Sequence, residues 1–399
     1  MRAAWVNGTG AVTPLGRTWR ETCDALAAGR CAIAPIASFD ASGFPSRHAA
    51  EIDRDFSETD RRTALALDAA REAWAAAGLD RQPPDPLQVG VFIGAESGRL
   101  PFSTLAALAR AGGPGPALDH GRFSREAESR ARDLDSRLVS PAVVAARLAR
   151  EFGARGSVAT VSLACASGAA AIAEASRAVR QGECEVALAG GVGADVDPLM
   201  LAGFGLLGAL SGSGMSRPFD RRRDGFVLGE GAGMVVLSCK RGVARVAGIG
   251  RTLDAWSLTA PAPDGSGSLR AMRLALAEAG LESVDVVQAH GTSTPLNDAI
   301  EARAIREALG ESLPSSHVSS IKGALGHTIA AAGVLGFIAA VEAVVTGTVL
   351  PTAGLAEPDQ DCALPHVVGR ALSRRVDSAM VNSFAFGGAN CTLVITRGR

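Results

Sequence analysis

"AAREAWAAAGL" (Ala69–Leu79) and "AMRLALAEAGL" (Ala271–Leu281) agree at seven of eleven positions, and the fold follows from that agreement. Each is a helical pattern that ends in Gly-Leu, where Gly78 and Gly280 suit the left-handed position closing a helix. A β-branched run follows each: "QVGVFIG" (Gln88–Gly94) after the first, "VDVVQAH" (Val284–His290) after the second. Upstream lie "WVNGTGAV" (Trp5–Val12) and "RVAGIGRT" (Arg245–Thr252), short strands that run into paired glycines. Alanine matches come cheaply in an Ala-rich chain, but the shared order of strand, helix and strand points to duplication.

Strands alternating with Ala-rich helices imply an α/β fold in which parallel sheet is covered by helices. Two helical stretches, Ala169–Val179 and Ile329–Val345, are apolar nearly all round, as sandwiched helices are. The expected architecture is two similar halves around a shared helical layer, residues 1–241 and 242–399. Arg99–Arg137, with "AGGPGP" and a dense charge run, reads as a surface insertion in the first half.

The 399 residues are 47% hydrophobic, enough for a large core. Forty basic residues against 41 acidic ones argue against a general nucleic-acid binder, which carries a basic excess. The 7 cysteines include no C-x-x-C pair, which fits a reducing, cytoplasmic setting. "MRAAWVNGTGAVTPLG" has no apolar secretory core. The longest apolar run, Thr328–Val341, falls short of the roughly 20 residues of a membrane span and is expected to be a core helix.

Four segments carry candidate chemistry. In Val158–Val179 a β-rich run ends at Leu163 and Cys165 precedes a long Ala helix, where the positive end of the helix dipole favours thiolate. Taken singly, such a cysteine is more often a buried structural thiol. In Val286–Ile305 a strand delivers His290 into a polar turn with Thr292 and Thr294, and Asn297 or Asp298 opens a helix. A histidine at a strand's carboxyl end faces either a cleft or plain solvent. In Val318–Val341, His327 begins another small-residue helix with Lys322 just upstream, so Cys165 and His327 are expected to meet near the duplication axis. In Ala379–Ile395 two strands flank a Phe-Gly-Gly turn. Gly203-x-Gly205-x-x-Gly208 matches a dinucleotide fingerprint formally, but no strand precedes it. Cys165, His290 and His327 lack the short spacings of a zinc site.

Together with "VNGTGAVTPLG" (Val6–Gly16), "SRPFDRRRDGFVLGEGAGMVVL" (Ser216–Leu237), "AHGTSTPLND" (Ala289–Asp298), "IKGALGHTIAAAG" (Ile321–Gly333) and "NSFAFGGAN" (Asn382–Asn390), these segments resemble the elongating β-ketoacyl-acyl-carrier-protein synthases of the thiolase superfamily. The resemblance runs nearly end to end and implies a thiolase-like, layered αβαβα fold. It implies that Cys165 takes an acyl chain as a thioester, and that His290 and His327 assist decarboxylation of a malonyl carrier protein through neutral N–H donors. Lys322 would hold the histidine network, and Glu301 would support the lysine. The backbone N–H groups of Cys165 and Phe386 would form an oxyanion hole, with Phe386 also gating the acyl pocket. Thr292 and Thr294 would meet the phosphopantetheine arm, which arrives on the carrier, so no metal or other cofactor is expected. Ser97 and Glu96 would border the acyl pocket, and Arg61 and Arg62 would dock the acidic carrier, with Arg221, Arg222 and Arg223 forming a second basic cluster.

The family works as a homodimer or as a heterodimer with a related chain, without nucleic acid or membrane. Leu163 stands where the family commonly has threonine, and Ala385 where glycine is usual. These departures, with Glu96, point to a polyketide or polyene rather than a plain fatty chain. They also keep open a non-catalytic chain-length-factor-like subunit, which intact Cys165, His290 and His327 oppose. A Cys-His hydrolase is a third, weaker reading.

Overall fold

The computed structural model describes residues 2–54 and 60–398. Ten strands of its main sheet are β1 (Ala4–Val12), β2 (Val89–Gly94), β3 (Val158–Val161), β4 (Val186–Ala194), β5 (Leu228–Ser238), β6 (Ala244–Leu253), β7 (Val286–Gln288), β8 (His317–Ser319), β9 (Ser378–Phe384) and β10 (Ala389–Arg397). They run in the order β8-β7-β9-β10-β6-β1-β5-β4-β2-β3. Read outward from the centre, one half is 1-5-4-2-3 and the other 6-10-9-7-8, the same path twice. The senses repeat too. The inner pairs are antiparallel and the outer pairs parallel in both halves. The halves join where β1 meets β6 over Ala4–Val6.

Six helices complete five layers. Helices α1 (Arg61–Ala76) and α2 (Ala142–Glu151) cover the outer face of the first half. Helices α4 (Ser266–Ala279) and α5 (Pro295–Leu309) cover that of the second. Between the half-sheets lie α3 (Ser167–Gln181) and α6 (Ala332–Thr346), each packed on strands of both halves. This is the αβαβα arrangement expected of the sequence.

The recurring glycines and alanines explain how the outer layers sit so close. A Cβ on Gly8 or Gly10 would lie 2.2 or 2.3 Å from the carbonyl oxygens of Ala73 and Ala69, and one on Gly248 or Gly250 would lie 1.9 or 1.8 Å from those of Ala275 and Ala271. Ala69 and Ala73 occupy the first and fifth places of one repeat; Ala271 and Ala275 occupy the same places of the other. Strand backbone rests on helix backbone, an approach that the missing Cβ of these glycines permits. Gly78 and Gly280 take φ values of 72° and 68°, as their sites demand.

The central layer follows the same logic. Ala164 (φ 46°) and Ile329 (φ 47°) each open a short 3-10 turn that leads into a central helix. Four residues on from each lie Gly168 and Gly333. A Cβ on Gly168 would stand 2.7 Å from Ala330 O, and one on Gly333 would stand 2.9 Å from Ala169 N. The helices therefore cross at their starts. That crossing brings the Cys165 turn against the His327 loop.

The apolar helical stretch is longer than the sequence run suggested. Ile329–Thr346 spans 18 residues, enough by length and composition to cross a membrane, yet 83% of it is buried inside the fold. Residues 99–137 form an excursion with helices at Phe102–Gly112 and His120–Ser129.

Candidate active site

The β-run before the nucleophile ends at Val161, two residues earlier than expected, and Cys165 sits in the 3-10 turn Ala164–Ala166, just before the long Ala helix as expected. The residue is 9% exposed and borders a cavity of about 300 Å³. His290, His327, Thr292, Thr294 and Phe386 border the same cavity. The rings of His290 and His327 stand 5.7 Å apart and nearly perpendicular. Sequence reasoning missed the aromatic wall: Phe226 lies 5.1 Å from His327, and Phe204 lies 6.2 Å from Phe386. Neither phenylalanine carries a local signal for this role.

Each histidine is held by its Nδ1. Ile329 N–H donates to His327 Nδ1 at 3.2 Å, so Nδ1 is the acceptor and the proton lies on Nε2. Lys322 Nζ lies 3.5 Å from His290 Nδ1 and donates to the His290 carbonyl oxygen. As an ammonium it gives His290 the same tautomer. Burial, then the Lys322 charge, holds both imidazoles well below their usual range, so both are neutral near pH 7. Two neutral N–H donors therefore stand beside one thiol.

Buried carboxylates brace this group. Glu301, on α5, accepts from His290 N and Gly291 N at 2.7 Å each, and from Asn382 Nδ2 at 3.2 Å. Burial pushes its carboxyl up to about 7 and pulls Lys322 down to about 8, with the Glu301 charge opposing the latter shift. Asn382 is itself fixed by Thr392 Oγ1 at 3.0 Å. Helix α5 opens at Pro295 with Thr294 as its cap residue, not at Asn297 or Asp298. Asp298 instead reaches back to accept from Thr292 N, Ser293 N and Phe219 N at 2.8–3.2 Å. The Thr292 and Thr294 hydroxyls are 3.0 Å apart.

Three expectations change. Burial dominates at the nucleophile: it pushes the Cys165 thiol up to about 12, against the pull of Lys322. Dipole stabilisation of up to about 2 kcal/mol is smaller than the cost of desolvating a buried charge. Arg62 is 6% exposed and is spent inside the fold on Asp60, Glu96 O and Leu138 O, while Arg61 is bidentate to Glu230 at 2.7 Å. Arg62 thus presents no free guanidinium to a carrier, and Arg61 is already committed. Neither Ser97 nor Glu96 borders the cavity; Ser97 is exposed, and the Glu96 carboxylate accepts from Ser162 and Ser167 behind the nucleophile turn. Of the departures, Ala385 lies outside the positive-φ residues and so is unstrained, and Leu163 packs its side chain on the central core.

The beta-ketoacyl synthase N-terminal domain model matches residues 1–241, and the C-terminal domain model matches residues 243–356. The chain belongs to the β-ketoacyl synthase family. Within that family it is 34% identical over 425 residues to 3-oxoacyl-[acyl-carrier-protein] synthase 2 of Coxiella burnetii, covering 99% of each chain. Among solved structures it resembles the ishigamide ketosynthase/chain length factor (TM-score 0.85, 32% identity, 99% of each chain). It also resembles a type II PKS acyl-carrier protein in complex with its ketosynthase bound to the hexaketide (TM-score 0.85, 27% identity, 99% of each chain). A β-ketoacyl synthase is an acyltransferase, and the cavity at the crossing of α3 and α6 is where this one gathers its thiol and its histidines.

Proposed function

We propose that this β-ketoacyl synthase condenses an acyl chain held on Cys165 with malonyl-carrier protein, with loss of carbon dioxide. The observation that carries the reading is the pairing of His290 and His327, neutral and with Nε2–H free, beside Cys165 in one cavity. Cys165 exchanges its thiol proton for the acyl group, and the carrier's phosphopantetheine leaves as a thiol. Malonyl thioester then enters past Thr292 and Thr294. As its carboxylate departs as carbon dioxide, the charge left on the thioester oxygen is met by the two Nε2–H donors. The enolate carbon attacks the Cys165 thioester. Its oxyanion falls to the backbone N–H groups of Cys165 and Phe386, and collapse expels the Cys165 thiolate, which regains a proton.

No metal or nucleotide enters this sequence. Lys322 fixes His290 and Glu301 fixes the His290–Gly291 backbone. The seven cysteines, all free thiols, suit a reducing cytoplasm.

On this reading the product belongs to polyketide or polyene assembly rather than fatty acid synthesis. Likeness to the ishigamide ketosynthase and to the hexaketide-bound complex supports this. The acyl carrier protein is the partner in trans, and the enzyme works as a homodimer or beside a chain-length-factor-like chain. The alternative is a non-catalytic subunit of such a pair.

Incubation with acyl-carrier protein and intact-mass measurement should give one acyl adduct, absent in Cys165→Ala. No adduct across several chain lengths would favour the non-catalytic subunit. Turnover confined to saturated medium chains, with none on unsaturated ones, would refute the polyene assignment.

A further inference from the structure

We propose that Glu96 is a positioning residue for the nucleophile, its carboxylate holding the turn that presents Cys165 through Ser162 and Ser167. The inference rests on the reading of Cys165 as the acylated thiol. Glu96 Oε2 accepts from Ser162 Oγ and Oε1 from Ser167 Oγ, each at 2.8 Å. Ser167 Oγ in turn accepts from Leu163 N at 2.7 Å and lies 2.7 Å from Ala164 O. One hydroxyl thus links the Leu163 backbone, two residues before Cys165, to the Glu96 carboxylate.

That tie is needed because Ala164 holds φ 46°, a region its Cβ disfavours. Such a conformation persists only where neighbours over-determine it. The anchor is firm at its other end. Glu96 O accepts from Arg62 Nη1 at 2.7 Å, and Arg62 is buried against Asp60 and Leu138 O. A continuous set of hydrogen bonds therefore runs from the start of α1, past the end of β2, to the turn at Cys165. The bulk of Glu96 belongs to this scaffold and not to the cavity wall.

The charges near the thiol are Lys322, which favours thiolate, and Glu96 and Asp195, which oppose it; Asp195 is paired with Arg99 at 2.7 Å. His290 and His327 are neutral. Glutamine at 96 keeps a carbonyl acceptor for one serine and an amide donor for the other while removing a negative charge.

The test measures two rates on Glu96→Ala and Glu96→Gln: acyl transfer from carrier protein, and alkylation of Cys165 by iodoacetamide across about pH 6 to 10, read by intact mass. Glu96→Ala should slow acyl transfer about ten- to hundredfold, while Glu96→Gln should stay within about threefold of wild type. Alkylation of Glu96→Gln should shift to lower pH. If Glu96→Ala does not fold, Ser167→Ala should reproduce the expected loss.

Wild-type acylation and alkylation in Glu96→Ala, with only the preferred chain length changed, would overturn the proposal. So would a Glu96→Gln enzyme as impaired as Glu96→Ala. Wild type that is alkylated at Cys165 but never acylated would instead refute the function on which the proposal rests.

Discussion

Replacing Glu301 by glutamine separates what this carboxylate does for the fold from what it does for the chemistry. Its carboxyl is raised from 4.5 to about 7, so the ionised form carries a burial penalty of roughly 3 kcal/mol at neutral pH, and glutamine removes it. Against this, an amide cannot accept from both His290 N and Gly291 N, and one buried N–H loses its partner at a cost of about 1–3 kcal/mol. The two effects nearly offset, so denaturant unfolding at pH 7.5 should change by less than about 2 kcal/mol. The sign of the pH dependence is fixed as well. Between pH 4.5 and about 7 the folded chain keeps a proton that the unfolded chain releases, so stability falls as pH rises through that window, and Glu301→Gln should flatten the slope.

Activity should behave differently. Lys322 stands at about 8 because burial lowers it and Glu301 chiefly opposes the drop. Losing a neighbouring charge moves a buried group by about one to three units. The alkaline limb of malonyl-carrier decarboxylation should therefore fall by at least about one pH unit, with a loss of about tenfold or more at pH 8 as His290 Nδ1 loses its donor. The assay is carbon dioxide release across pH on the acylated enzyme. An unmoved limb together with near-wild-type turnover would refute the reasoning.

Gly250→Ala should destabilise the fold by about 3 kcal/mol or more in denaturant melts, since its Cβ would stand 1.8 Å from Ala271 O, while Gly121→Ala on an exposed helix should be neutral or stabilising. His327→Ala should retain acylation of Cys165 but lose decarboxylation by about a hundredfold or more, seen as an adduct that forms yet does not turn over. Asp298→Ala strands the N–H groups of Phe219, Thr292 and Ser293, which should cost at least about 3 kcal/mol and raise KM for the carrier as Thr292 and Thr294 shift.

The duplication was legible because its cause is local. Gly8, Gly10, Ala69 and Ala73 recur as Gly248, Gly250, Ala271 and Ala275 where strand backbone touches the outer helices. The residues that the fold gathers at the cavity were also visible, since Cys165, His290 and His327, with Lys322 beside His290, each stand at the edge of a regular element. Their electrostatics were not. Cys165 lies where a helix dipole acts, but only the packed fold reveals how completely the thiol is desolvated. Arg61 and Arg62 looked like surface charge because sequence records no distance to Glu230 or to Glu96 O, partners 169 and 34 residues away. Asp298 read as a helix start for the same reason: its three backbone donors come from the preceding loop and from Phe219.

Helix α6 and the turn before it place an 18-residue apolar segment at the centre of the molecule. Its first contacts, Gly168, Ala169 and the strands of the first half, are made on the ribosome long before it emerges. Until it docks, this segment matches a membrane-spanning helix in length and composition. Only when the first half closes over it is this apolar surface removed from water.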